Sequence, residues 1–277
     1  MTAEQTRRAL LGGVATTGLA ALAGCSSMTP LVGQRLEQTE TISLGDAESV
    51  LVHGNVGTVS VTGRDRDDVS VDAEKQSSSI RTDLEELRLR ADHTDDGLVI
   101  GPEWEGREGW FQSEPSMNLE VELPRDLPLE EVRTSVGRVT VRDVTGDLAV
   151  ETSTGRVDVD GVDGAVGART STGRVTIRDV DVLHDVTTST GRVDAHVPAI
   201  DGDTTVSTST GRIEAAIDPE IDADLHVTTS TGRIDVDDLE LTDAAEGSDL
   251  VTGTLGDGGP TLRFETSTGR ITLGSLS

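Results

Sequence analysis

The sequence predicts an all-β protein wound as a β-solenoid with coils of about 18 to 21 residues. Three observations lead to that class. The hexapeptide Thr-Ser-Thr-Gly-Arg-Val recurs with little variation, Ile replacing the last Val in three copies and Val136 the second Thr in one, and its glycines fall at Gly137, Gly155, Gly173, Gly191, Gly211, Gly232 and Gly269. The steps are 18, 18, 18, 20, 21 and 37, a period that marks stacked repeats, with the last step reading as two coils of which one is degenerate. Apolar residues alternate around each glycine: Val150, Val157 and Val159 frame Gly155, and Val206, Ile213 and Ala215 frame Gly211. Aromatics are 1% of 277 residues, which suits a coil whose 18 residues enclose a perimeter of at most about 60 Å. A regular antiparallel β-meander is the alternative, with Thr-Gly as a two-residue loop, although such loops favour Asn-Gly or Asp-Gly.

In chain order, residues 1–24 read as an export signal. Arg7 and Arg8 precede an apolar stretch from Ala9 to Gly24 that is too short for a membrane span of about 20 residues. The paired arginines resemble a twin-arginine signal, which exports folded proteins. Leu22 to Cys25, "LAGC", resembles a lipobox, making Cys25 the lipidated first residue of a chain held on the outer face of the cytoplasmic membrane. Cys25 is the single cysteine, so no disulfide forms within the chain. Residues 25–40 read as a flexible tether.

Residues 41–131 carry looser strand phrases, interrupted by "EWEGREGWFQ" at 103–112. This stretch holds Trp104, Trp110 and Phe111. It reads either as a loop capping the solenoid or as a platform for a partner. Residues 132–277 are the regular repeats. Within each, Gly supplies the positive φ of a corner. The Thr three before it is expected to face inward in a hydrogen-bonded ladder, leaving Ser and Arg outward.

The row Arg138, Arg156, Arg174, Arg192, Arg212, Arg233 and Arg270 is the most specific chemical feature. Stacking places its members about 4.8 Å apart, where like charges repel by just under about 1 kcal/mol in water. Two readings neutralise it. Asp158, Asp194, Glu214 and Asp235, two residues further on, supply cross-coil ion pairs, or an anionic polymer such as a surface glycan is gripped by the guanidinium groups.

Other chemistry is poorly supported. The chain has 51 acidic residues against 23 basic, a net charge of -28, and Lys75 is its one lysine. That surface excludes a nucleic-acid footprint and resembles haloarchaeal proteins, whose self-repulsion is screened in brine. The Asp clusters miss the EF-hand and calcium-roll spacings, and the five histidines form no zinc pattern; His184 reads as a half-buried strand residue. No cofactor, metal or catalytic constellation is expected.

"GTVSVTGRDRDDVSVDAEK" and the run from "NLEVELPRDLP" through "RTSVGRVTV" to "ETSTGRVDV" resemble the β-strand-repeat family labelled "putative adhesin". The likeness spans roughly residues 45 to 277. It implies a right-handed, single-stranded β-helix at the cell envelope with no assigned catalytic residues. The function expected is a non-enzymatic, membrane-anchored, adhesin-like module that meets a surface glycan or envelope protein. An envelope-stress or assembly accessory protein is the alternative, and a glycan-active enzyme is a third.

Overall fold

A single connected sheet system winds through the chain in the computed structural model, which describes residues 33–79, 82–95, 97–106 and 115–276. Its strands are β1 (Gln34–Ile42), β2 (Val50–His53), β3 (Val59–Arg64), β4 (Val69–Ser77), β5 (Leu87–Thr94), β6 (Gly97–Trp104) and β7 (Ser116–Pro124). Then come β8 (Leu129–Thr145), β9 (Leu148–Val197), β10 (Thr204–Ile217), β11 (Ala223–Val236), β12 (Thr242–Glu246), β13 (Leu250–Leu255) and β14 (Thr261–Ser275). The one helical element among the described residues is the 3-10 turn Leu84–Glu86, begun by the Asp83 carboxylate, which accepts from the Glu85 amide at 2.9 Å.

The all-β solenoid class holds, and its core is the parallel stack of β8, β9 and β10. β8 pairs with β9 so that Gly137 meets Gly155, Arg138 meets Arg156 and Val139 meets Val157. β10 pairs with β9 with Gly211 on Gly191. At 50 residues, β9 is several coils in one element, because the ladder runs through the corners without a break. The same column is therefore met once per coil, and every column keeps its chemistry.

The repeat glycine is demanded by that stacking. A Cβ on Gly173 would sit 1.7 Å from the Gly155 carbonyl oxygen, and one on Gly155 would sit 1.6 Å from that of Gly137. The expected positive φ is present at five of the seven, 157° at Gly173, and not at Gly191 or Gly232, whereas the backbone-on-backbone approach is common to all seven and is the stronger constraint. A second corner lies six residues further on, where Asp143, Gly161 and Asp179 have φ of 53°, 73° and 50°. Asp and Gly tolerate that left-handed conformation.

Inward columns bury Val132, Val139, Val141 and Val144 in one coil and their equivalents in the next. The coil does accommodate one ring. Phe264 of β14 is fully buried, between Val206 and Val227.

The ends depart from the expected sequential winding. The 37-residue step hides no degenerate coil. β14 pairs in parallel with β10 on one side, Gly269 on Gly211, and with β11 on the other, Gly269 on Gly232. The last strand of the chain thus lies between two coils that are consecutive in sequence. β11 is covered by antiparallel β13, and β13 by β12. The opposite end mirrors this: β3 lies between β7 and β8, parallel to both, and antiparallel β4 and β1 follow β7. β1 also shows that the stretch expected as a tether to residue 40 is already paired strand from Gln34.

Candidate functional site: the outward face of the repeat

Each hexapeptide sends side chains to two sides. The Thr three before the glycine is buried throughout, from 1% exposure at Thr188 to 5% at Thr152 and Thr229. The expected ladder is therefore inward, yet its hydrogen bonds are mostly missing. Thr134 Oγ1 donates to the Asn55 carbonyl at 3.1 Å, whereas the hydroxyls of Thr152, Thr170, Thr188, Thr208, Thr229 and Thr266 have no partner. Stacked threonines at the coil spacing stand too far apart to bond each other.

Outward residues number one more than alternation suggests. Both the Ser and the second Thr are exposed, as at Ser171 and Thr172 or Ser209 and Thr210, because the chain turns there. Arg follows past the corner, flanked by Val or Ile at the second position after the glycine and by Val, Ile, Ala or Leu at the fourth.

The seven arginines form one column, in the spatial order Arg138, Arg156, Arg174, Arg192, Arg212, Arg270, Arg233. Four have carboxylate partners. Arg156 Nε donates to Asp158 at 2.8 Å, Arg192 pairs with Glu214, Arg212 Nη1 lies 3.2 Å from Glu214 Oε1, and Arg270 Nε lies 3.9 Å from Asp235. Arg138, Arg174 and Arg233 have no ion-pair partner among the described residues. The split has a local cause. In the Gly137 and Gly173 coils the acidic position holds Thr140 and Thr176, and Asp235, which follows Arg233, leans to Arg270.

The segment from residue 113 to residue 274 matches the Toastrack DUF4097 family model. The chain belongs to that family. The Toastrack segment takes in β7 to β14, hence the whole arginine column. Among solved structures, the chain is similar to a "putative adhesin" from Bacteroides fragilis, at 13% identity over 87% of this chain and 97% of that one, with a TM-score of 0.44. It is also similar to a "putative cell adhesion protein" from Clostridium sporogenes, at 11% identity over 88% of this chain and 100% of that one, with a TM-score of 0.36. No curated protein matches the chain.

The remaining candidate positions divide between described and undescribed residues. Trp104 ends β6, opposite Leu87, and packs half-buried against the core, so it belongs to a strand and not to a loop. Trp110 and Phe111 lie outside the described residues, as do Arg7, Arg8 and Cys25. His184 is half-buried, with Nε2 3.0 Å from Asp201 Oδ1, while its neighbour Leu183 fills the core position. No group of three or more metal-ligating side chains occurs among the described residues, and none of their helices is long and apolar enough to cross a membrane.

The burial of the single lysine was not expected from the sequence. Lys75, 3% exposed, stands on β4 between Leu36 and Met117. Burial pushes its amine below the ordinary lysine range, opposed by the fields of Glu40 and Glu85 and assisted by Arg88. Its alternation with Val71 and Ala73 was the available signal, since it shares their inward face.

Proposed function

We propose that this Toastrack protein is a non-enzymatic binding module of the cell envelope, tethered through lipid on Cys25 after twin-arginine export and adapted to brine. The observation that carries the reading is the exterior of the stack. Ser, Thr and Arg recur in register on a scaffold whose glycine spacing tolerates no added side chain. Such a surface meets an extended or repetitive partner over many equivalent positions, each contact adding to the next. A catalytic cleft instead needs irregular groups gathered on a regular frame. The adhesin names of the similar structures agree with a surface role but describe those proteins.

Residues 33–277 form a compact unit of their own, so this unit serves for the test. It is incubated in molar salt with envelope fractions, and both retention and release of soluble sugar are scored. Retention without sugar release is expected. Steady release would make it an enzyme, and no retention would remove the binding role. For the anchor, Cys25→Ser in the full chain should move the protein from the membrane pellet to the soluble fraction.

A further inference from the structure

The arginine column is not chemically uniform, and the difference follows the coils. On its strand the outward residues of the Gly137 coil are Arg138, Thr140 and Arg142, and those of the Gly173 coil are Arg174, Thr176 and Arg178. The Gly155 coil between them presents Arg156, Asp158 and Asp160. Arg138, Arg142 and Arg174 are exposed and have no carboxylate partner among the described residues. Arg178 reaches Asp194 only at 3.8 Å. Arg138 and Arg174 therefore stand two coils apart on the arginine column, about 10 Å, with the Arg156–Asp158 ion pair on the coil between them and Asp160 stacked on Arg142 alongside.

We propose that this face of the Gly137 and Gly173 coils binds a linear acidic polysaccharide lying along the stack, with one carboxylate at Arg138 and the next at Arg174. The inference rests on the surface-binding reading above and names its ligand class. Guanidinium groups grip carboxylates through forked hydrogen bonds that outlast the screening of long-range fields in brine. On the coil between, Arg156 is already engaged by Asp158 and Asp160 adds a further carboxylate, so a polymer charged at every unit would set its middle charge where no cation is free to receive it. A glycan charged on alternate sugars instead sets a neutral sugar there. The exposed hydroxyls of Ser153, Thr154, Ser171 and Thr172 at the adjoining corner suit such sugar contacts. A contiguously charged chain such as polyphosphate fails the same spacing.

The test uses the 33–277 unit with hyaluronan oligosaccharides, which are charged on alternate sugars, and with oligogalacturonate and polyphosphate, which are charged on every unit. Hyaluronan should bind most tightly, with a step in affinity from two sugars to four as the second carboxylate is added. The variant R138S/R174S should weaken the four-sugar ligand by about tenfold or more with an unchanged melting temperature. R212S, which removes a paired guanidinium, should change affinity less than about threefold. Equal binding of all three polymers, or full affinity in R138S/R174S, overturns the proposal. So does a fall in melting temperature in R138S/R174S that accounts for the lost binding. Retention on envelope fractions that survives while hyaluronan binding fails overturns this inference and leaves the surface-binding reading standing.

Discussion

The central coils from Val132 to Val197 and the two ends of the stack obey different rules. In the centre, sequence neighbours are spatial neighbours, and each coil repeats the one before it at an offset of 18 residues. Towards the ends, the parallel strands β3 and β14 are each enclosed by two others, and antiparallel strands close the array. An open parallel edge offers unpaired amides and carbonyls to any passing strand. Reversing chain direction and returning a terminal strand inward buries that edge behind short, charged strands such as β12, all of whose residues are exposed. The repeat provides identity of columns, and the ends provide termination.

The largest effect should come from the glycine column. Gly173→Val must displace the Gly155 carbonyl and should abolish cooperative unfolding, a cost above about 4 kcal/mol. Gly202→Ala, where nothing lies within 4 Å of the added carbon, should unfold as the parent does in the same thermal scan. Equal sensitivity at both glycines would remove the steric account.

Deleting residues 261–277 tests the ends. Hydrogen exchange should then lose protection across β11 and β13 while β8 and β9 keep theirs, because β14 is the bridge between β10 and β11. Within that bridge, Phe264→Ala should cost about 3 to 5 kcal/mol in chemical denaturation. Unaltered protection of β11 after the deletion would mean that β10 and β11 can close the gap themselves.

A smaller contrast lies inside the coils. Thr188→Val replaces a buried, partnerless hydroxyl with a methyl and should stabilise by about 1 kcal/mol, whereas Thr134→Val breaks a real hydrogen bond and should destabilise by a similar amount. Melting curves of the two variants should shift in opposite directions.

The smallest expected effect is at Lys75. Its folded pKa lies below the unfolded value of 10.5, so the folded state holds the proton less firmly than the unfolded one. Charged-state burial penalises folding at neutral pH, and the penalty fades as pH rises through the folded pKa towards 10.5. Lys75→Met should therefore raise stability at pH 7 and lose that advantage as pH rises towards 10.5. A gain that is constant with pH would assign the effect to packing alone.

Much of this was legible in the linear chain. The period, the inward Val and Thr columns and the alignment of Arg138 with Arg156 follow from strand alternation and an 18-residue step, which are local properties. Asp143 and Asp179 at the second corner were in plain view too, but a left-handed residue is recognised only once the neighbouring strand directions are known. The candidate site was half legible. The sequence named all seven arginines, while the partners of four and the isolation of Arg138 and Arg174 depend on which carboxylate each side chain reaches across coils.

What the sequence determined by itself was the coil: its length, its columns, its narrow core and its glycine. Tertiary structure alone decided the order of the coils. Every repeat after the first, which has Val136 for the second Thr, bears the same Thr-Ser-Thr-Gly-Arg phrase, so β14 satisfies the register of β9, β10 or β11 equally well. A degenerate local code leaves the choice to the closure of the ends, where an edge must be covered and the chain must turn back to cover it.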